Sequence, residues 1–457
     1  MEKTNRQDAS FRDPAGFLFA SGGILYRQVN AVYRPDYELL LSSGLYAALA
    51  GKKLLIPHDE TDLPCPGADG FRVIRPEKVP FISYPYEWCF SQLKAAALLT
   101  LEVQKLALAH GMTLRDASAY NVQFHKGQPV FIDTLSFAKR AEGSPWAAYG
   151  QFCRHFLAPL ALMAKTDLRL NCLSRDFIDG VPLDLASSLL PLRTWLDFSL
   201  LSHLHFHAKA SGHYGRPGAA PRKQEMSGFS LDALLDSLEG AVKKLAFPGV
   251  KTEWGDYYAE TNYSEAAFEA KKLLVSDFIE AASPQTLWDL GANSGEFSRL
   301  ASAKNISTLA FDSDPVAVEK NYRAVSARKD ERLLPLLADL ANPAPGTGWA
   351  NRERASLAAR GPADCVMALA LIHHLAIGNN LPFEELAGYF ASLGRDLIIE
   401  FVPKEDSMAR FLLSAREDVF PKYAQKDFEA AFSGYFAVLK QAQIPGSGRT
   451  LYLMRKL

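Results

Sequence analysis

Several protein classes are excluded by what this sequence has little of. Its five cysteines (Cys65, Cys89, Cys153, Cys172 and Cys365) are scattered through 457 residues with no C-x-x-C spacing. That argues against a disulfide framework and a zinc knuckle, and a reducing cytoplasm is the expected setting. Charge of one sign is missing as well: fifty basic residues face fifty-one acidic ones, so no whole-chain field draws the protein to nucleic acid or to an anionic membrane surface. Neither is expected as a partner. The opening segment, MEKTNRQDASFRDPAGF, mixes acids with bases where a signal peptide needs an apolar run. No later stretch offers the roughly eighteen uncharged residues of a membrane span. Internal repeats and low-complexity tracts are absent too.

What is present suits a large globular chain. A hydrophobic fraction of 48% over this length allows two or three domains with buried cores. A stretch rich in Gly, Pro and polar residues, SGHYGRPGAAPRKQEMSG at 211–228, reads as a linker. We expect an N-terminal domain over 1–210, a linker with aromatic lead-in helices over 211–262, and a C-terminal domain over 263–457. From Thr286 onward short apolar runs alternate with amphipathic helices, the pattern of repeated βα units around a mostly parallel sheet, so the fold class is α/β.

The strongest local signal is TLWDLGANSGEFSRLAS: a short strand from Thr286 to Leu290, an acid near its end, a glycine turn, and a helix beginning near Gly295. Glycines let a ligand approach the backbone there, and the N–H groups of the helix start meet its polar atoms. The next strand ends in Asp312, about twenty residues beyond the turn, where an acid can hydrogen-bond both hydroxyls of a ribose. Pro315 then opens a helix at its favoured first position, with Ser313 or Asp314 as the cap.

These motifs, with LLADLANP around Asp339 and ADCVMALALIHHL after it, resemble in order and spacing the class I S-adenosylmethionine-dependent methyltransferases. The resemblance covers about residues 263–457. It implies a doubly wound, Rossmann-like sheet closed by an antiparallel hairpin, which RDLIIEFV and FAVLKQAQIPGSGRTLYLMRK fit as a fifth strand and a strand pair. It implies S-adenosylmethionine as cofactor, with Gly291 and Gly295 admitting its methionine end, Asp289 beside that end, Asp312 on the ribose and Asp339 facing the adenine amino group. Ala292, Asn293, Ser313, Leu340 and Ala370 complete the implied cofactor site. Asn293 replaces the family's usual middle glycine, and Asn is the next best residue for a left-handed backbone.

The acceptor is less legible, because methyl transfer asks mainly for in-line positioning and exclusion of water, with a base only where the acceptor must lose a proton. His373 and His374 follow the fourth strand, at the carboxyl edge where α/β sheets place ligands, and imidazole ordinarily titrates near neutrality. Either is a candidate base; helix capping and packing against the cofactor are the alternatives. Glu400, ending the fifth strand, is a second candidate, and a loop-anchoring carboxylate is its competing role. Tyr257, Tyr258 and Tyr263, in the lead-in segment, either close over the cofactor or pack the sheet edge. No Asn/Asp-Pro-Pro-Tyr tetrapeptide stands after the fourth strand, and the Pro-Cys pair at Cys65 is far outside the domain. Adenine-amino and nucleobase-carbon methylation are therefore disfavoured. A small molecule or glycan methylated on oxygen or nitrogen is the expected acceptor.

The N-terminal half carries a second pattern. LRDASAYN and VFIDTLSF place Asp116, Asn121 and Asp133 at nearly the spacing by which kinases hold a nucleophile and magnesium. With the long helix from about Ser91 to His110 and the hinge-like FISYPYEW, residues 20–210 resemble the α+β kinase and phosphotransferase fold. The phosphate-holding parts are missing: Gly22 and Gly23 make no G-x-G-x-x-G loop, no lysine occurs between Gly22 and Gly51, and Arg27 is the conceivable substitute. An inactive kinase-like domain that recognises substrate or partner is expected. The two halves together also resemble a group of bacterial methyltransferases and host-specific nodulation proteins. His203, His205, His207 and His213 lie close in sequence, but no neighbouring Glu or Cys completes a ligand set, so no metal is expected. Beside the methyltransferase reading stand a bifunctional protein or phosphotransferase and a noncatalytic nucleotide-binding scaffold.

Overall fold

The computed structural model describes residues 5–209, 226–252, 254–255, 265–414 and 418–457. The chain forms two compact units, residues 1–249 with 346–354, and residues 250–345 with 355–457.

In the first unit, β1 (Asn5–Arg6), β2 (Gly16–Ser21), β3 (Ile24–Asn30), β4 (His58–Thr61) and β5 (Gly70–Pro76) form an antiparallel sheet in the order β1-β2-β3-β5-β4. A helix then runs from Phe90 to Ala109, its start fixed by Gln92, whose side-chain oxygen accepts the Cys89 N–H at 2.9 Å. Two small ladders follow. β6 (Met112–Leu114) pairs with β9 (Phe137–Lys139), and β7 (Val122–His125) pairs with β8 (Gln128–Phe131). The hinge-like segment is tied down by Gln123, which accepts the Ser83 N–H at 2.8 Å, and by Trp88, which donates to the Ser83 hydroxyl at 2.9 Å.

The second unit holds a seven-stranded sheet built from β10 (Thr286–Leu290), β11 (Ser307–Asp312), β12 (Leu333–Leu337), β13 (Ala363–Ala368), β14 (Gly394–Phe401), β15 (Phe436–Gln443) and β16 (Thr450–Lys456). Their order is β12-β11-β10-β13-β14-β16-β15. Five strands are parallel; β16 runs antiparallel between β14 and β15. The parallel strands are covered on both faces, hence their nearly unbroken apolar runs: Leu287, Leu290, Val366 and Ile398 are fully buried. Val275, Phe278 and Ile279 of the helix Glu265–Ala282 pack on one face. Each such side chain contributes roughly 1.5–3 kcal/mol of burial free energy. The strand order turns back between β10 and β13, and open α/β sheets take their ligands beside such a reversal, at the carboxyl ends of the strands. β15 is the exposed edge, and its Lys440 and Gln441 keep that edge polar.

Candidate functional site

The carboxyl ends of β10, β11, β12 and β13 surround a cavity of about 390 Å³. Its floor is the glycine turn. Gly291 and Asn293 have positive φ (76° and 50°), as does Gly295 (81°), so Asn293 adopts the left-handed conformation that its residue type tolerates. Gly291 and Ala292 donate their N–H groups to the Phe311 carbonyl at 2.9 Å. At Gly295 a side chain would strike Asn321: a Cβ there would lie 2.4 Å from its Oδ1. Gly295 therefore serves the turn and does not itself line the cavity.

Two carboxylates flank the turn. Asp312 accepts the Asn293 N–H at 2.7 Å on one oxygen and the Asp314 N–H at 2.9 Å on the other. Asp289 accepts from the Ser298 hydroxyl at 2.5 Å. Burial pushes both carboxyls up, Asp289 to about 7 and Asp312 to about 6, because a charge removed from water is disfavoured. Asp314 caps the helix Pro315–Arg328, accepting from Val316 at 2.7 Å and Ala317 at 3.2 Å, with Pro315 at the first position. Ser313 is thereby left to line the cavity, together with Asp339 and Leu340 after β12.

The remaining wall comes from the segment after β13. Ala370 lines the cavity with φ of 50°, and its N–H donates to Glu400 at 2.8 Å. Glu400 itself is fully buried. It accepts Lys271 Nζ at 2.6 Å and Arg449 Nη1 at 3.2 Å, and Arg449 makes a bidentate pair with Asp406 at 2.7 and 3.0 Å. Glu400 thus stands behind the cavity wall and anchors a loop. His374 lines the cavity and meets Trp254 edge to face, ring centroids 4.9 Å apart. His373 lies behind it, 1% exposed, its ring 4.1 Å from that of His374 and its nitrogens unbonded among the described residues. Burial holds both histidines acidic of their usual range, His374 at about 4 with Arg449 adding to the effect, and His373 well below the normal value.

Sequence reasoning missed Trp254, Lys271, Leu371 and Leu412, all of which line the cavity. Only Lys271 carried a signal: it is a charged residue on the apolar stripe Phe268, Lys271, Val275, Phe278 of an otherwise amphipathic helix. Tyr257, Tyr258 and Tyr263 lie outside the described residues.

In the first unit, Asp116, Asn121 and Asp133 come together. Asp116 accepts from Ser118 N–H at 2.9 Å and from Gln151 at 2.8 Å, and its carboxyl is raised, chiefly by burial and also by Asp133. Asn121 donates to the Ser136 hydroxyl at 3.2 Å, and that hydroxyl donates to Asp133. Arg27 on β3 forks between Asp133 at 2.5 Å and Asp13 at 3.0 Å. Burial alone would push the Asp133 carboxyl up, but Arg27 and the Ser136 hydroxyl outweigh it and hold it low.

The histidines of the first unit are engaged singly. His203 bonds Tyr149 and Ser237, each at 2.9 Å, while His205 bonds Ser187 at 2.7 Å and Thr194 at 2.9 Å. His207 stacks on Tyr149, and His213 lies outside the described residues. Among the described residues no three His, Cys, Asp or Glu side chains gather to hold a metal, and no helix is long and apolar enough to cross a membrane.

No protein-family model matches the chain. Among solved structures, the magnesium protoporphyrin IX methyltransferase ChlM of Synechocystis PCC 6803 with bound SAH is 17% identical, over 44% of this chain and 91% of that one, with a TM-score of 0.31. The bifunctional kinase-methyltransferase WbdD is 14% identical over 42% of this chain and 40% of that one, with a TM-score of 0.30. The topology above, and not these superpositions, defines the fold. In sequence, the nodulation protein NoeA of Rhizobium meliloti (strain 1021) is 33% identical over 467 residues, spanning 99% of this chain and 97% of that protein. A match of that identity along nearly the whole of both chains is common descent, and the chain belongs to the family of nodulation protein NoeA.

Proposed function

We propose that the protein is an S-adenosylmethionine-dependent methyltransferase that binds the cofactor in the cavity of the second unit and methylates an oxygen or nitrogen of a small-molecule or glycan acceptor. The observation that carries this reading is the placement of Asp289 and Asp312 on either side of a left-handed glycine turn, at the sheet's point of strand reversal. The residues present fit the cofactor: Asp312 offers an acceptor for a ribose diol, Asp339 for an adenine amino group, and Asp289 for an ammonium. S-adenosylmethionine supplies an electrophilic methyl on a sulfonium, so the chain's own task is to orient, to exclude water and to take a proton where the acceptor is a hydroxyl. Trp254, Leu371 and Leu412 give the cavity apolar walls that exclude water. His374, which lines the cavity, is the proton acceptor in this reading; burial, which holds it at about 4, keeps it neutral at physiological pH and also makes it a weaker base than a free imidazole. Glu400 acts at one remove, through Ala370.

Calorimetric titration with S-adenosylmethionine tests the reading. Binding is expected, and it should strengthen from about pH 5.5 to 8. The folded-state pKa values of Asp289 and Asp312 are raised, so the empty site holds protons that the ionised, cofactor-binding form must release. Above both values the dependence flattens. Absence of binding at pH 8 would end the proposal.

In this reading the second unit, residues 250–345 with 355–457, is the catalytic domain, and the first unit, residues 1–249 with 346–354, is a kinase-like domain that recognises substrate or partner; the helix Gly228–Lys244, expected within a linker over 211–262, belongs to that first unit. The convergence of Asp116, Asn121 and Asp133 favours the kinase-like likeness. Phosphoryl transfer rests on positioning and neutralising phosphate charge, yet Arg27 here is spent on Asp133 and Asp13. Incubation with Mg-ATP and cell-extract metabolites should therefore give no phosphorylated product. Product formed by the wild type and lost in Asp116→Asn would make the protein bifunctional.

A further inference from the structure

Two guanidiniums of the first unit face one carboxylate. Arg27, on β3, gives Nη1 to Asp133 at 2.5 Å and Nη2 to Asp13 at 3.0 Å, while its Nε is buried without a partner among the described residues. Arg115, next to Asp116 in the chain, lies over the Tyr33 ring at 5.0 Å. It approaches the other oxygen of Asp13 only to 3.7 Å, which is beyond hydrogen-bond length. That oxygen accepts the Ala15 N–H at 2.9 Å instead. Asp13 therefore spans two cations with a single good bond to them, and its side chain stays 29% exposed where that of Asp133 is 17% exposed. A carboxylate so exposed gains little from its pair, because water competes for both charges. Asp133 is the firm partner of Arg27, and Asp13 is the displaceable one.

Asp13 belongs to the loop between β1 and β2, and that loop is fastened at the residue before it. Arg12 Nε donates to Glu353 at 2.8 Å, and Glu353, 4% exposed, also accepts the Trp349 N–H at 2.8 Å. Both acceptor contacts lie in residues 346–354, which fold with the first unit. A guanidinium presents a planar fork of donors that matches the oxygens of a phosphate, and two such forks converge where Asp13 lies. We propose, independently of the cofactor reading, that Arg27 and Arg115 form a binding site for a phosphate group, and that the loop 7–15 closes it by laying Asp13 in the phosphate's place. Asp133 keeps its own bond to Arg27 Nη1, so the positions the phosphate takes are Arg27 Nη2 and the Arg115 fork. The fastening of Arg12 to Glu353 sets how readily the loop lets go.

Calorimetry on the full-length protein with inorganic tripolyphosphate reads the site without any turnover. Asp13→Asn keeps an acceptor for the Ala15 N–H and loses the charge. It should bind tripolyphosphate roughly 10-fold or more tightly than the wild type, the factor by which a site closed about nine-tenths of the time masks its affinity. Adding Arg115→Gln should remove that gain. Glu353→Gln loosens Arg12 without touching the site, and it should raise the wild-type affinity by roughly 2- to 5-fold, the worth of one partly exposed ion pair. A nucleotide and a simple phosphate compound present the same group here, and ATP separates them: tighter binding of ATP than of tripolyphosphate by Asp13→Asn assigns the site to a nucleotide, equal binding to the phosphate alone. Thermal unfolding identifies the folded variants. A folded Asp13→Asn protein that binds tripolyphosphate no better than the wild type overturns the proposal, leaving Asp13 as a loop fastener, and so does a gain that survives Arg115→Gln. Where Asp13→Asn does not fold, unchanged affinity in Glu353→Gln overturns it as well.

Discussion

Replacing Asp312 with Ala should weaken S-adenosylmethionine binding by roughly 1.5 to 3 kcal/mol, the scale of hydrogen bonds to a charged group. The side chain does two things at once. It offers a ribose diol a carboxylate, and it accepts the N–H groups of Asn293 and Asp314 at 2.7 and 2.9 Å, which sets the turn on one side and the start of the next helix on the other. Asp312→Asn separates the two, since it keeps the volume and one acceptor oxygen while losing the charge; it should fall between the wild type and Asp312→Ala. Unchanged affinity in a folded Asp312→Ala protein would remove the ribose assignment.

The second large effect is expected at His374. His374→Gln should bind cofactor as the wild type does and lose roughly a hundredfold or more in turnover, the contribution typical of a positioned general base. Sequence reasoning places its titration near neutrality; the fold moves it. Burial, with Arg449 adding to it, holds His374 at about 4, so the imidazole is already in its neutral, base form at pH 6 and its protonation state does not change across the physiological range. The wild-type rate attributable to this group should be level from pH 6 to 8 and fall only toward pH 4. Full activity in His374→Gln, or a steep rise of the rate between pH 6 and 8 that vanishes in that variant, would contradict this. His373, without access to the cavity, should show its effect in thermal stability and not in turnover.

The fold of the second unit was legible because its signals are local. A parallel strand covered on both faces is mostly apolar, as at Leu287, Trp288 and Leu290; a turn that needs positive φ must use Gly or Asn, as at Gly291, Asn293 and Gly295; a helix opening on Pro315 needs a cap one residue before it. Each of these constraints acts within a few residues and leaves its mark on residue type. The cofactor side of the cavity inherits that legibility, since Asp289 and Asp312 sit at fixed offsets from strands and turns.

Tertiary structure alone decided the rest, because the deciding contacts join residues distant in the chain. Lys271, Glu400 and Arg449 meet from a helix, a strand of the sheet and the turn before the last strand; the apolar stripe marks Lys271 as out of place, but no periodicity within any one segment says which partners it meets. Two adjacent histidines of identical type were divided by burial: His374 faces the cavity and His373 does not. Arg27, distant in sequence from Asp133, spends its charge on that carboxylate. The sequence by itself settled which backbone conformations and buried faces were available; which side chains share a cavity, and with what charge state, followed only from packing, because burial and Coulomb interaction depend on distance through space and not along the chain.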